Sequence, residues 1–429
     1  MARAMKDSRI AWVGEIPKDW NSEKAKYHFQ NTKYIPGSKS TEYERLALTL
    51  KGIIKREKED ANGLQPKDFD TYQLLRTNEL VFKLIDLQNV STSRVGLSPY
   101  TGLVSPAYII IRASGSILPS FAEKYFLMLW HREIFNALGD NGVRSNLGSS
   151  DLLNIPICYP TKDEQHSISV FIDTECAEID TLIADIQAQI ETLEQYKRSV
   201  ITEAVTKGLN PNIPLKDGGT DWIGQIPIHW SISKIKYEIL PIERVVYETD
   251  GIITCFRNGE VTLRSNRREE GFTISLTENG YHGVDVGDLV IHGMDAFAGA
   301  IGCSDSRGKI TPVVHVCRTT GNNRFFMYFL RTMAYGDILM DLSDGVRIRS
   351  SDYRNFSKLG KLSICVPPLD EQDKIVDYLD SKVKQIDDVI IQKQEQLEIL
   401  EEYKKSVVFE YVTGKKEVPI SCPQSAMKQ

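Results

Sequence analysis

The sequence predicts an α+β protein, with two similar globular domains separated by two long helices that form an intramolecular antiparallel coiled coil. Three observations predict this. A repeat with a period of 207–210 runs through the 429 residues. The net negative charge of the chain is concentrated in two short segments, and each of these carries a heptad stripe uninterrupted by Gly or Pro.

The repeat is anchored at both ends of each copy. WVGEIPKDW at Trp12–Trp20 returns as WIGQIPIHW at Trp222–Trp230 and keeps both Trp, the Gly, the Ile and the Pro. The stretch from Pro160 to Thr206 returns from Pro367 to Thr413, with 21 identities over 47 aligned residues. Between the anchors only landmarks match. Asn78-Glu79-Leu80-Val81-Phe82 parallels Gly287-Asp288-Leu289-Val290-Ile291, Gly102-Leu103-Val104-Ser105-Pro106 parallels Gly308-Lys309-Ile310-Thr311-Pro312, and Gly142-Val143-Arg144 parallels Gly345-Val346-Arg347. Two modules of one fold that recognise different things, joined by nearly interchangeable spacers, would show this pattern.

The domains expected are residues 1–158, a spacer helix over 159–207, a linker over 208–221, a second domain over 222–366, a second helix over 367–413 and a polar tail over 414–429. Within each domain, short β-branched runs (LVFKLI, AYIIIR, LVIHG, VVHVCR) predict strands, and residues 120–138 and 323–342 predict helices. The stripe of the first spacer includes Ile172, Ile179, Ile183, Ile190, Leu193 and Val200; that of the second includes Leu379, Ile386, Ile390, Leu397, Leu400 and Val407, with Lys393 standing where the first has Ile186. Asp163-Glu164 and Asp370-Glu371 suit a helix N-terminus, and Lys197-Arg198 and Lys404-Lys405 suit its far end. Each stripe needs a partner. The nearest one of equal length is the other copy, with a homodimeric coiled coil as the competitor. In the matched pairs Tyr196-Lys197 and Tyr403-Lys404, the Tyr is expected in the seam and the Lys at its rim. Residues 207–221, rich in Pro, Gly and Asn, are expected to be an extended connector.

A net charge of −6 argues against a nucleic-acid partner, but the charge is unevenly spread. Residues 12–158 carry 18 basic and 16 acidic groups and residues 222–366 carry 17 and 16, whereas 159–210 carry 4 and 10 and 367–413 carry 6 and 12. The modules are therefore weakly basic and the spacers strongly acidic. The seven Cys (158, 176, 255, 303, 317, 365 and 422) are odd in number and form no CxxC, which implies reduced thiols and no zinc site. No apolar run approaches the roughly 20 residues that cross a bilayer, and MARAMKDSRI lacks a signal-peptide core. A cytoplasmic location is expected.

Catalytic motifs are missing: there is no GxxxxGK[ST], HExxH, GxSxG or metal-ligand spacing, so no catalytic, cofactor or metal residue is assigned. The modules offer instead Arg and Lys flanked by Gly, Asn and Ser. The candidate DNA contacts are Lys51, Arg56, Arg94 and Arg144 in the first module and Arg257, Arg264, Arg267, Arg268, Arg347 and Arg349 in the second, with Lys55 beside Arg56. Arg can bind guanine edges bidentately, and both cations neutralise phosphate.

The two W-x-G-x-I-P-x-x-W openings, Gly102-Leu103-Val104-Ser105-Pro106-Ala107-Tyr108, and Pro367-Pro368-Leu369-Asp370-Glu371-Gln372 with its helix, in this duplicated order, resemble the specificity subunit of type I restriction–modification systems. The first copy departs from the pattern at Tyr159-Pro160-Thr161-Lys162-Asp163-Glu164-Gln165, which lacks the second Pro. The resemblance covers nearly the whole chain. It implies two target-recognition domains that each read half of a split DNA sequence, with a coiled coil as the ruler between them. It also implies two modification subunits that use S-adenosylmethionine to methylate adenine, and two restriction subunits that use ATP and Mg2+. This chain would then be non-catalytic and hold no cofactor. The rival expectation is a coiled-coil scaffold whose modules bind proteins.

Overall fold

A computed structural model of the chain describes residues 3–58, 69–87, 92–139, 146–267, 280–341 and 355–419. These form two compact units, residues 1–186 with 395–429, and residues 187–394, each mixing helix and sheet. Among the described residues no helix is long and apolar enough to cross a membrane.

The first unit opens with a hairpin of β1 (Met5–Asp7) and β2 (Glu15–Pro17), followed by β3 (Asn21–Lys24) and β4 (Phe29–Asn31). Then come β5 (Arg45–Thr49), β6 (Gly52–Arg56), β7 (Gln73–Leu75), β8 (Leu80–Phe82), β9 (Val95–Leu97), β10 (Gly102–Val104) and β11 (Ile109–Ala113). Helices α1 (Pro119–His131), α2 (Ile134–Leu138) and α3 (Ser149–Asn154) precede β12 (Pro156–Tyr159) and the long α4 (Lys162–Lys207), whose first part belongs to this unit. Two sheets result, ordered β4-β11-β8-β9 and β6-β5-β10-β7, while β3 pairs with β12.

The second unit repeats this plan. Its elements are β13 (Leu215–Asp217), β14 (Gln225–Pro227), β15 (Ser231–Lys234), α5 (Ile235–Glu238), β16 (Ile239–Pro241), β17 (Ile253–Cys255), β18 (Val261–Leu263), β19 (His282–Val284), β20 (Leu289–His292), β21 (Ile301–Cys303), β22 (Gly308–Ile310) and β23 (Val314–Thr319), then α6 (Asn323–Tyr335), α7 (Ile338–Asp341), α8 (Phe356–Leu359), β24 (Ser363–Val366) and α9 (Leu369–Val412). The sheet β16-β23-β20-β21 has the order of β4-β11-β8-β9, and β15–β24 and β13–β14 match β3–β12 and β1–β2. The hairpins β17–β18 and β5–β6 also correspond. A parallel bridge from Ile252 to Lys309 stands where β5 runs parallel to β10 through Arg45 and Leu103.

Each core forms where a sheet receives the apolar stripe of one helix. Phe121, Tyr125, Phe126 and Leu129 of α1 recur at helical spacing and pack with Leu80 and Phe82; Phe325, Phe329, Leu330 and Met333 of α6 do the same with Leu289 and Ile291. Pro119 opens α1 at its first position, and Asn322 caps α6 by accepting from the Arg324 and Phe325 amides at 2.9 and 3.4 Å.

The long helices pair within each unit. In the first, Ile168 and Ile172 pack with Val408 and Val412, Phe171 meets the Tyr411 ring at 4.5 Å, and Lys404 bonds Asp180 at 2.5 Å. In the second, Val200, Ile201 and Ala204 pack with Ile375, Val376 and Leu379, while Lys197 bonds Asp387 at 2.6 Å and Lys393 bonds Gln189 at 2.5 Å. Residue numbers fall along one helix as they rise along the other, so the pairing is antiparallel in each. Ile172, Ile179, Val200, Leu379, Ile386, Ile390 and Val407 are buried, and Ile183, Ile190, Leu193, Leu397 and Leu400 half-buried. One expectation is reversed. Tyr196 and Tyr403 are 48% and 50% exposed, and Lys197 and Lys404 turn inward. A Lys stem covers apolar surface while its ammonium reaches a carboxylate across the pair, an outlet that a phenol ring lacks.

The connector expected over 207–221 is also partly ordered, since β13 lies inside it and pairs with β14 through Lys216 and Ile226. A three-residue strand is too short to leave a periodic signal. Lys216 Nζ donates to the Trp230 carbonyl at 2.5 Å, as Lys6 Nζ does to that of Trp20 at 2.6 Å.

The repeated anchors prove to be two sides of one contact. Trp20 and Trp230 are buried, and their indole N–H groups donate to Glu164 at 3.2 Å and Glu371 at 2.8 Å, in the first turns of α4 and α9. The neighbouring Gln residues tie the same turns to the loops before α1 and α6. Gln165 accepts from the Leu118 amide at 2.7 Å and donates to the Pro160 carbonyl at 2.9 Å; Gln372 accepts from the Asn322 amide at 2.9 Å and donates to the Pro367 carbonyl at 2.9 Å. At the other helix ends, Gly414 (φ +68°) lies against Pro17, where a Cβ would come within 2.6 Å of the ring, and Gly208 (φ +76°) faces Trp230. Trp20→Ala or Trp230→Ala should each cost about 3–5 kcal/mol, read from urea unfolding. A loss below about 1 kcal/mol would remove the indole from its proposed role.

Candidate nucleic-acid interface

Six of the cations singled out, Lys51, Lys55, Arg56, Arg257, Arg264 and Arg267, lie on or beside equivalent hairpins of the two units. In the first unit Lys51 occupies the two-residue turn between β5 and β6, with Lys55 and Arg56 on β6. Thr49 Oγ1 accepts from the Lys51 amide at 3.2 Å and donates to the Gly52 carbonyl at 2.8 Å, while Gly52 adopts φ +95°, which a side chain would resist. The Lys51 side chain is exposed. Lys55 pairs with Glu44 at 2.7 Å, a bond that raises its pKa, and its ammonium sits 5.1 Å from the Tyr100 ring centre. Arg56 is half-buried and lines a shallow depression with Lys58 and Glu42.

In the second unit Arg257 lies in the β17–β18 loop, and Arg264 and Arg267 follow β18. Arg257 is 67% exposed and pairs with Asp295 at 2.9 Å. Arg264 Nε donates to Thr254 Oγ1 at 3.4 Å. Arg267 lies 4.1 Å from the Phe256 ring centre and pairs with Glu260 at 2.9 Å. A residue that the sequence did not single out holds this loop in place, since Arg331 of α6 donates to the Asn258 carbonyl at 2.6 Å. Its i, i+4 neighbour Tyr335, which accepts from the same guanidinium, was the only available signal.

Arg94 must be withdrawn as a DNA contact. It has no exposed surface, and its guanidinium donates to the carbonyls of Lys83, Ile85 and Asp86 at 3.4, 3.1 and 2.6 Å. Burial pushes its pKa down. The run Ser-Thr-Ser-Arg reads as a solvated loop, yet Arg94 directly precedes β9 and braces the backbone beneath it. Arg144, Arg268, Arg347 and Arg349 lie outside the described residues.

Other cations are locked by buried acids at matched places. Arg112 binds Glu79 at 2.8 Å, and Arg244 grips Asp288 with two bonds of 2.6 and 2.7 Å. Arg307 bonds Asp250 and Asp285 at 2.9 and 2.8 Å, which holds both carboxyls below their usual range. What remains accessible on the twin hairpins is Lys51 and Lys55 in one unit and Arg257 and Arg267 in the other. They suit phosphate and base-edge oxygen.

No protein-family model matches the chain. A Methanocaldococcus jannaschii protein named as the MjaX type I restriction enzyme specificity subunit is 23% identical to it, over 94% of this chain and 95% of its own length. The MjaVIII type I specificity subunit of the same organism is 24% identical over 73% of this chain and 74% of its own. A solved structure from work on the assembly and conformational transition of a type I restriction–modification system superposes with a TM-score of 0.68, covering 94% of this chain and 99% of that one at 14% identity. That likeness shows a shared fold along nearly the whole chain.

The buried and exposed cations should separate in stability measurements. Arg94→Ala leaves three carbonyls without their donor and should cost about 2–4 kcal/mol. Lys51→Ala and Arg257→Ala should stay within about 0.5 kcal/mol of the parent. Equal effects in denaturant titrations would contradict the assignment.

Proposed function

We propose, from the premise that this chain belongs to the type I restriction–modification specificity-subunit family, that it is the non-catalytic, DNA-reading subunit of such a complex. Each compact unit carries a target-recognition domain. The two read the unlike halves of an asymmetric, bipartite DNA target, and α4 and α9 form an intramolecular antiparallel coiled coil that spaces them. The observation that carries this reading is the pair of equivalent hairpins. One fold occurs twice, with accessible cations on the same hairpin but of different identity, Lys51 and Lys55 in the first and Arg257 and Arg267 in the second. Two such modules on one duplex would address half-sites whose centres lie about one turn, ~10 bp, apart.

The partners in this reading are double-stranded DNA, two modification subunits that use S-adenosylmethionine and two restriction subunits that use ATP and Mg2+, with no cofactor held by this chain. The complex would work in the cytoplasm. The helices support a protein partner as well. Beyond their buried stripe they expose Leu182 and Tyr196 on α4, and Val389, Ile399 and Tyr403 on α9, each at least 40% accessible. These apolar groups sit on the acidic spacers, away from the basic hairpins in sequence, which separates partner docking from DNA reading.

The test is to map methylated adenines in DNA from cells that express the chain with its modification subunit. A new split motif with unlike halves is expected. The double substitution of Arg257 and Arg267 by Ala should relax or abolish only one of the halves. If no new methylation appeared although the modification subunit bound, the scaffold reading would take its place.

A further inference from the structure

Residues kept between the two divergent modules are mostly buried, and packing explains them. One group is not. Lys24-Ala25-Lys26-Tyr27, at the end of β3, returns as Lys234-Ile235-Lys236-Tyr237 at the end of β15. Only Ala25 and Ile235 are buried; the four Lys are exposed, and Tyr27 and Tyr237 are 65% and 62% exposed. The backbone is fixed in the same way in both copies, by bonds of 2.9 Å from the Ala25 amide to the Ile155 carbonyl and from the Ile235 amide to the Leu362 carbonyl. Lys26 and Lys236 each lie over the following ring, at 5.5 and 4.7 Å from its centre.

Folding does not account for this agreement. Lys over an exposed ring is worth about 0.5–1 kcal/mol, and none of the four ammonium groups meets a carboxylate among the described residues. The nearest acids in sequence are engaged elsewhere. Glu23 accepts from His28 at 2.8 Å and from the Tyr159 hydroxyl at 2.7 Å, and Glu238 accepts from the Thr320 hydroxyl. Each module thus presents two uncompensated ammonium groups and a phenol on a rigid turn. Such a set fits adjacent phosphates of a nucleic-acid backbone, with cations for the oxygens and a hydroxyl to donate.

We propose that Lys24, Lys26 and Tyr27, and Lys234, Lys236 and Tyr237, are sequence-independent phosphate anchors for the duplex, one in each module. The inference rests on the DNA-reading role given above and assigns it a division of labour. Residues that differ between the modules read bases, and this shared set holds the backbone.

The experiment uses the full chain assembled with its modification subunit and a random-sequence duplex. Binding is titrated between about 50 and 200 mM salt for the parent, for the quadruple Lys24, Lys26, Lys234, Lys236→Ala variant and for the matching quadruple Lys→Arg variant. Thermal unfolding confirms that all three are folded. Each lost phosphate contact flattens the slope of log K against log salt by about 0.9. The Ala variant should therefore lose about 1.8 per module, equivalent to about tenfold in affinity over that salt range per module, while the Arg variant keeps the parental slope. The methylated motif should keep its sequence. An unchanged slope in an Ala variant that still binds DNA overturns the anchors and leaves the DNA-reading role standing. Failure of the parental complex to bind any duplex overturns both. Loss of the modification subunit by the Ala variant, with the slope of the assembled fraction unchanged, would make the patch a protein contact and overturn the proposal.

Discussion

The contact on which the rest depends is the buried indole seated on a carboxylate in the first turn of a long helix. An indole N–H without a partner in a core costs as much as a lost hydrogen bond, and a carboxylate is at ease at a helix N-terminus, where the dipole favours it. Trp20 with Glu164 and Trp230 with Glu371 satisfy both conditions. The seat is completed by the far end of the other helix, since Gly414 packs on Pro17 and Trp20, and Gly208 on Trp230. Neither module closes on contiguous sequence alone. Each needs one helix that leaves it and the end of one that returns, so the openings and the spacers are held to a shared pattern while the modules between them vary.

That constraint explains which features were legible in the sequence. The heptad stripe depends only on spacing, and its positions are buried or half-buried along both helices. β8 and β20 fall within the apolar runs that predicted them, and β11 and β23 run one residue past theirs. Failures arise where neighbouring positions compete or where composition misleads. Tyr196 and Lys197 are one step apart on a helix, and which one faces the seam depends on Asp387 across the pair, which no local pattern reveals. Arg94 sits in a Ser-rich run and is nonetheless fully buried, because three backbone carbonyls converge on it. The buried acids Glu79 and Asp288 were visible as matched landmarks, but their arginine partners lie 33 and 44 residues away.

The candidate interface was legible in kind and only partly in place. Its cations come from stretches that look alike in composition, yet their environments rank them differently. Arg244 and Arg307 are bound to acids that are almost fully buried, and freeing either would strand a charge at a cost of several kcal/mol. Arg257 and Arg267 pair with accessible acids, and exposed pairs of that kind are worth about 0–1 kcal/mol and weaken with salt. They can exchange a carboxylate for a phosphate or a base edge at little loss.

Availability, more than charge, thus decides what a nearly neutral module can offer to DNA. A net charge of −6 says little when the net negative charge is gathered on the spacers and the remaining module cations are sorted by how firmly they are held. Lys51 in its turn, and the lysines beside Tyr27 and Tyr237, have no carboxylate to release among the described residues, and Arg257 and Arg267 have one that water already screens. A weakly basic surface of this kind would grip DNA loosely through any single module. In the proposed DNA-reading role, two modules on one chain would make the second engagement intramolecular, so that modest contacts on each would combine into useful affinity only when both halves of a target are present. In that proposed role, weak individual grip would let the requirement for both halves contribute to specificity.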